Sequence, residues 1–125
     1  MRGKYLRKFT GNLKNMPNDT SGVYSAIGMA NRAGALVTGT DACLRAVRSG
    51  IVKIVVLSEE ASENTRKKVI NACRTKNIPC IEYGKGGMLG KMTGKSHRIV
   101  VGVRDKNLSR LILSKMQQER ELINE

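Results

Sequence analysis

Gly39, Thr40, Asp41, Arg45 and Arg48 fall in one short stretch between Val37 and Gly50. Read as a strand end, a glycine turn and a helix start, this stretch offers the free backbone N–H groups of a helix N-terminus to an acceptor. Gly39 removes the side chain that would keep a nucleic-acid backbone or base at a distance. Asp41 can accept a hydrogen bond from an exposed amino group of guanine, and Arg45, one turn later on the same face, supplies a donor fork. One acid among many bases suggests base reading. The same spacing also fits a helix capped by Thr38 or Thr40, with Asp41 serving the helix dipole and Arg45 solvated, and spacing alone does not choose.

Other chemistry is poorly provisioned. Gly94, Lys95 and Ser96 suggest a phosphate loop, but that motif needs glycine at position 89, where Leu89 stands, and a strand-to-helix context that is reversed here. The glycine run Gly84, Gly86 and Gly87 lacks the last glycine of a dinucleotide fingerprint. His97 is the only histidine, and none of Cys43, Cys73 and Cys80 sits in a nucleophile motif or a paired-cysteine motif. All three cysteines read as core packing, which suits a reducing compartment. Glu59, Glu60 and Glu63 cluster before a helix whose dipole already favours acids. No catalytic residue, metal site or cofactor is expected.

The elements that must position these residues follow from hydrophobic period. Val23, Ala26, Ile27 and Ala30 lie on one helical face that Gly34 can close. A short strand is expected at Ala35–Val37, and then a helix with Cys43, Ala46 and Val47 inward and Arg45 and Arg48 outside. The β-branched run Lys53–Leu57 reads as a central strand buried on both faces. A helix over 61–76 turns Val69 and Cys73 inward and Arg66 outward, with Asn77 as its cap. A strand over Cys80–Tyr83, a short helix over Met88–Thr93 and a strand over Arg98–Val103 precede a last helix capped by Asp105. Strands alternating with helices define an α/β layered domain, with a four-stranded, parallel or mixed sheet between two helix layers.

The chain has 125 residues and a formal net charge of +13, enough for one domain with a core of its own. Residues 1–22 carry Arg2, Lys4, Arg7, Lys8 and Lys14 against Asp19 and read as a flexible basic arm before a domain at 23–125. No apolar run long enough for a secretory signal or a membrane span occurs, so a cytoplasmic protein without membrane association is expected, with an organellar transit peptide as the alternative. The charge points to a nucleic acid or an anionic surface as partner, and charge alone does not choose between them. Tyr5, Phe9, Tyr24 and Tyr83 are the only aromatics, too few for a single-strand stacking platform. Structured RNA fits better.

Several blocks in one order carry a resemblance: Ile27 to Gly34, Gly39 to Gly50, Lys53 to Ala61, Ile78 with Pro79, Leu89 to Lys91 with Gly94, and Ile99 to Val103. Together they resemble the kink-turn RNA-binding ribosomal proteins, the L-seven-A-e, L-thirty-e and Gadd-like superfamily, and among these the small bacterial members. The resemblance covers about residues 23–115 and implies a three-layer α/β/α sandwich. It further implies binding to kink-turns, RNA duplexes bent at a bulge beside tandem sheared G·A pairs. It would place Gly39, Thr40, Asp41 and Arg45 against those pairs, with Arg48 beside them. Where archaeal and eukaryotic members usually carry Asn-Glu, this chain has Asp41 and Ala42, and Arg45 replaces their Lys.

A second element implied by the resemblance is the loop over the bulged nucleotides, here Gly94 to Arg98. Lys95 and Arg98 would reach phosphate there, with Ser96 among the RNA-binding residues of the loop, and His97 would stack on a base or remain a plain polar surface residue. Lys85 substitutes for a family basic contact that aligns with Gly86, and Arg32 and Lys91 extend the positive surface or are simply solvated. The function expected is non-enzymatic binding of structured RNA, with ribosomal RNA among the candidates and a monomer favoured. The alternatives are a protein-interaction or regulatory domain of the same fold, or the RNA-recognition partner of a separate RNA-modifying enzyme.

Overall fold

The computed structural model describes residues 5–6 and 22–124. Its sheet is built around β3 (Ile54–Leu57), whose four residues are all buried. Because successive strand side chains point to opposite faces, Ile54 and Val56 join one apolar cluster while Val55 and Leu57 join another. Two faces to cover require two layers of helix.

Beside β3 lie β4 (Cys80–Glu82), parallel, and β5 (Val100–Val103), antiparallel; β2 (Leu36–Thr38) pairs antiparallel with β5. Strands β2, β3 and β4 therefore run in one direction. Helices α1 (Gly22–Arg32), α4 (Gly86–Met92) and α5 (Lys106–Asn124) cover one face, burying Ile27, Leu89, Ile112 and Met116 against Ile54, Val56 and Val101. Helices α2 (Thr40–Arg48) and α3 (Glu63–Lys76) cover the other, burying Val47, Val69 and Cys73 against Val55 and Val100. The result is the expected α/β/α sandwich with a mixed sheet.

One strand was not expected. Tyr5 and Leu6, assigned from sequence to the basic arm, form β1 and pair in parallel with Cys80 and Ile81, so the sheet order is β1-β4-β3-β5-β2. Without β1, β4 would present an open row of backbone donors and acceptors at the sheet edge. Gly22, also assigned to the arm, instead begins α1. The rest of the arm assignment, residues 1–4 and 7–21, lies outside the described residues.

The helix ends follow their local chemistry. Gly34 (φ 69°) and Asn77 (φ 62°) take the left-handed conformation that stops α1 and α3. Asp105 Oδ1 accepts from the Leu108 N–H at 2.8 Å, and Ser62 Oγ accepts from the Thr65 N–H at 3.2 Å. Arg66 does not stay in solvent as its helical position suggested; it reaches back to the buried carboxylate of Glu82 and ties α3 to β4.

Two details seat α2. A Cβ on Gly102 would lie 2.9 Å from Val52 Cγ1 and 3.6 Å from Cys43 Sγ, so this glycine lets the helix layer close on β5. The Cys43 thiol donates to the Val37 carbonyl at 3.2 Å, and burial pushes its pKa up to about 12. Cys80 is raised as well, first by its hydrogen bond with Cys73 and then by burial. All three cysteines are free, buried thiols, as their core positions implied.

Candidate nucleic-acid interface

The common direction of β2, β3 and β4 brings their C-terminal ends together with the start of β5. At this end lie the turn into α2, the turn after Leu57, the turn into α4 and the loop Gly94–Arg98 that returns to β5. These are the segments in which most of the candidate residues fall.

The first half of the site is the α2 entrance. Gly39 has φ 96° and ψ 151°, a backbone conformation open essentially to glycine, and its N–H donates to the Val100 carbonyl at 2.9 Å. The turn is thus clamped to β5. Gly39 itself is the N-cap and no side chain caps α2, so neither Thr38 nor Thr40 takes that role. The N–H groups of the first helical turn stay open to an outside acceptor. Asp41 and Arg45 are exposed on one face, and neither makes an ion pair among the described residues. An acceptor, a cationic fork and a row of backbone donors share one surface.

The second half is the 94–98 loop, which lies directly on α4. A Cβ on Gly90 would fall 1.4 Å from the Ser96 carbonyl oxygen, and one on Gly86 would fall 2.3 Å from His97 Cε1 and 2.9 Å from the Arg98 carbonyl. Two backbone hydrogen bonds close the seam, Lys95 N–H to Gly90 O at 2.8 Å and Arg98 N–H to Gly86 O at 3.0 Å. Lys95, Ser96 and His97 stand exposed on its outer side, while Arg98, half-buried, turns its guanidinium to the His97 carbonyl at 2.7 Å.

Glu60 joins the halves of this seam. Its Oε1 accepts the Gly86 N–H at 3.0 Å and faces His97 Nε2 at 3.2 Å. The Gly86 N–H, and then His97, hold its carboxyl below the ordinary range. This contact starts α4 at Gly86, two residues before the start expected from sequence, because the carboxylate satisfies a donor of the first turn. His97 is therefore held through Nε2 rather than standing free, with 57% of its side chain exposed.

Lys85 is the exposed N-cap of α4. It is held by its backbone: its N–H meets the Tyr24 hydroxyl, and Gly84 before it has φ 74° with that same hydroxyl 2.0 Å from where a Cβ would be. Burial raises the Tyr24 pKa, partly offset by that N–H. Sequence reading missed Glu60 and Tyr24 as positioning residues.

The remaining candidates divide. Lys91 sits exposed in the last turn of α4 and Arg32 in the last turn of α1, where each complements its helix dipole. Arg48 is not gathered with the turn; it stands at the far end of α2 in a groove shared with α3. Among the described residues no cluster of three or more His, Cys, Asp or Glu could hold a metal ion, and no helix is long and apolar enough to cross a membrane.

Residues 21–112, which hold the sandwich and the glycine turn opening α2, match the Ribosomal protein L7Ae/L30e/S12e/Gadd45 family. The chain belongs to that family. It is 35% identical over 91 residues to the RNA-binding protein YlxQ of Bacillus subtilis, covering 73% of this chain and 91% of that protein. It is 28% identical over 96 residues to the large ribosomal subunit protein eL30 of Sulfurisphaera tokodaii, covering 75% and 91%. A protein of unknown function from Bacillus halodurans superposes with a TM-score of 0.75 at 36% identity, covering 78% of this chain and 98% of that one. The 15.5kD RNA binding protein of Giardia lamblia shares the fold, with a TM-score of 0.67 at 18% identity over 92% and 94% of the two chains.

Proposed function

We propose that this protein binds structured RNA without catalysing a reaction, and that its target is the kink-turn: a duplex bent at a bulge beside tandem sheared G·A pairs. The observation that carries this reading is the uncapped N-terminus of α2 behind Gly39, with Asp41 and Arg45 exposed and unpaired beside it. Backbone N–H groups and Arg45 meet acceptors on the RNA, and Asp41 meets an amino group of guanine. The 94–98 loop, pinned on α4, presents Lys95, Ser96 and His97 toward the bulge, with Lys85 at its side. RNA-binding relatives of 35% identity and the net charge of +13 support an RNA partner.

The work done is a population shift. A flexible duplex samples straight and kinked forms, and a protein that touches only the kinked form favours it by its differential affinity. Phosphate contacts supply most of the affinity and the α2 turn supplies the selectivity. The decisive experiment titrates the full chain into a duplex bearing a three-nucleotide bulge and tandem G·A pairs, and into the same duplex with those pairs made Watson–Crick, at physiological salt. Tight binding to the first alone, with end-to-end shortening, is expected. Equal binding to both overturns kink-turn selectivity and leaves generic charge.

A further inference from the structure

Helices α2 and α3 leave the same ends of parallel strands and pack side by side, so their C-terminal halves meet away from the α2 turn. There, Arg48, Lys68, Asn71, Ala72, Thr75 and Lys76 line a groove of about 280 Å³. Three cations and two neutral donors face it, and no acid does. Arg48, Lys68 and Lys76 are all exposed, and none makes an ion pair among the described residues. Arg48 and Lys76 complement the dipoles of the helices they end, but Lys68, in the middle of α3, has no such role.

The groove and the α2 entrance share helix α2, at its C-terminal and N-terminal ends. Asp41, Arg45 and Arg48 are spaced by four and three residues, so they form one stripe along the helix, about 10 Å from first to last. Along one duplex strand that distance is on the order of three nucleotide steps. A small-molecule pocket encloses its ligand; a surface trough lined by Arg, two Lys, an amide and a hydroxyl suits a backbone that lies across it.

We propose that the α2–α3 groove takes the phosphate backbone of an RNA stem that continues out of the α2 site, with Arg48, Lys68 and Lys76 as its phosphate contacts. This rests on the reading that the turn at Gly39 takes RNA. It makes the footprint longer than the kink itself, so that the orientation of a stem, and not only the bend, is set by the protein.

The test uses two RNAs with the same bulge and G·A pairs, one with long flanking stems and one with stems cut to the shortest that still pair. The full chain is compared with Lys68→Glu/Lys76→Glu and with the milder Lys68→Gln/Lys76→Gln, all checked for unchanged melting. Both pairs of substitutions should weaken binding to the long-stem RNA, the charge reversal by about ten-fold, and leave the short-stem RNA within about two-fold. The slope of log affinity against log salt on the long stem should fall by about 1.8, as two phosphate contacts are lost. Equal losses on both RNAs, or none on either, overturn the groove while leaving the α2 site standing. Failure of the unsubstituted chain to bind either RNA overturns the kink-turn reading itself and the groove with it.

Discussion

The carbonyl oxygen of Ser96 lies 1.4 Å from the point at which Gly90 would carry a Cβ, so the loop over the candidate site rests on α4 with no thickness of side chain between them. The obstructing atom is backbone, tied in place by the neighbouring Lys95 N–H to Gly90 O hydrogen bond, and has no rotamer through which to escape.

Gly90→Ala should therefore lift the loop and destabilise the fold by about 1–3 kcal/mol, the usual cost of overpacking. Gly87, in the same helix, has nothing within 4 Å of its would-be Cβ. Gly87→Ala should be neutral or stabilise by about 0.4–1 kcal/mol through the unfolded state. Thermal melting of the two variants separates a steric role from mere helix propensity; equal behaviour would remove the seam as the reason for glycine at position 90.

At the α2 entrance, strain and recognition should separate. Gly39→Ala forces an L-residue to φ 96° and should cost about 1–3 kcal/mol of stability although no atom obstructs its Cβ. Arg45→Ala removes an exposed side chain and should change stability by less than about 0.5 kcal/mol. Yet it should weaken binding to the G·A duplex by about 1–3 kcal/mol, the discrimination of one bidentate contact. Melting curves and titrations on the same preparations decide the matter, and an Arg45→Ala protein that binds normally would remove the donor fork from the site.

What could be read in advance was whatever local pattern carries. Helices α1, α2, α3 and α5 follow from a period of 3.6, the main strands from short apolar, β-branched runs between turn residues, and Gly34, Asn77 and Asp105 mark ends by chemistry carried in single residues. Tyr5 and Leu6 were missed because a two-residue edge strand is specified by its neighbour β4 and has no period of its own. Glu60 was assigned to the α3 dipole, although its partners Gly86 and His97 lie 26 and 37 residues away, beyond the reach of any local pattern. Arg48 is a case of partial legibility. Its place two turns beyond Asp41 was visible, but only the packing of α3 shows that it shares a groove with Lys68 and Lys76.

The Glu60 contact should be visible in acid. Its folded pKa is depressed, so its contribution to stability is fully present above the unfolded carboxylate value of about 4.3 and is lost as pH falls through the lower folded value. Melting temperatures of the wild-type chain and of Glu60→Gln should differ most near neutral pH and converge in acid. A gap that persists at low pH would mean that the charge of Glu60 is not what holds Gly86 and His97.

Glu119 should show the opposite pH dependence. Its side chain is buried on α5, with Oε1 accepting the Tyr83 hydroxyl at 2.8 Å and Oε2 without a hydrogen-bond partner among the described residues. Desolvation raises its pKa, partly opposed by Tyr83 and the Val23 N–H. The folded state then holds its proton more tightly than the unfolded chain, so stability falls as pH rises from about 4.3 through the raised folded value. Glu119→Gln keeps an acceptor for Tyr83 without the charge, so it should gain on wild type across that window. Tyr83→Phe should instead cost about 1–3 kcal/mol, because the carboxyl loses its donor. Tyr83 also packs edge-on against Tyr24, with ring centroids 5.1 Å apart, and Tyr24 holds the Lys85 backbone. Tyr83→Phe keeps the ring and with it the edge contact to Tyr24, so both variants should bind RNA as the wild-type chain does, and a loss of binding by Tyr83→Phe alone would tie this buried pair to the site.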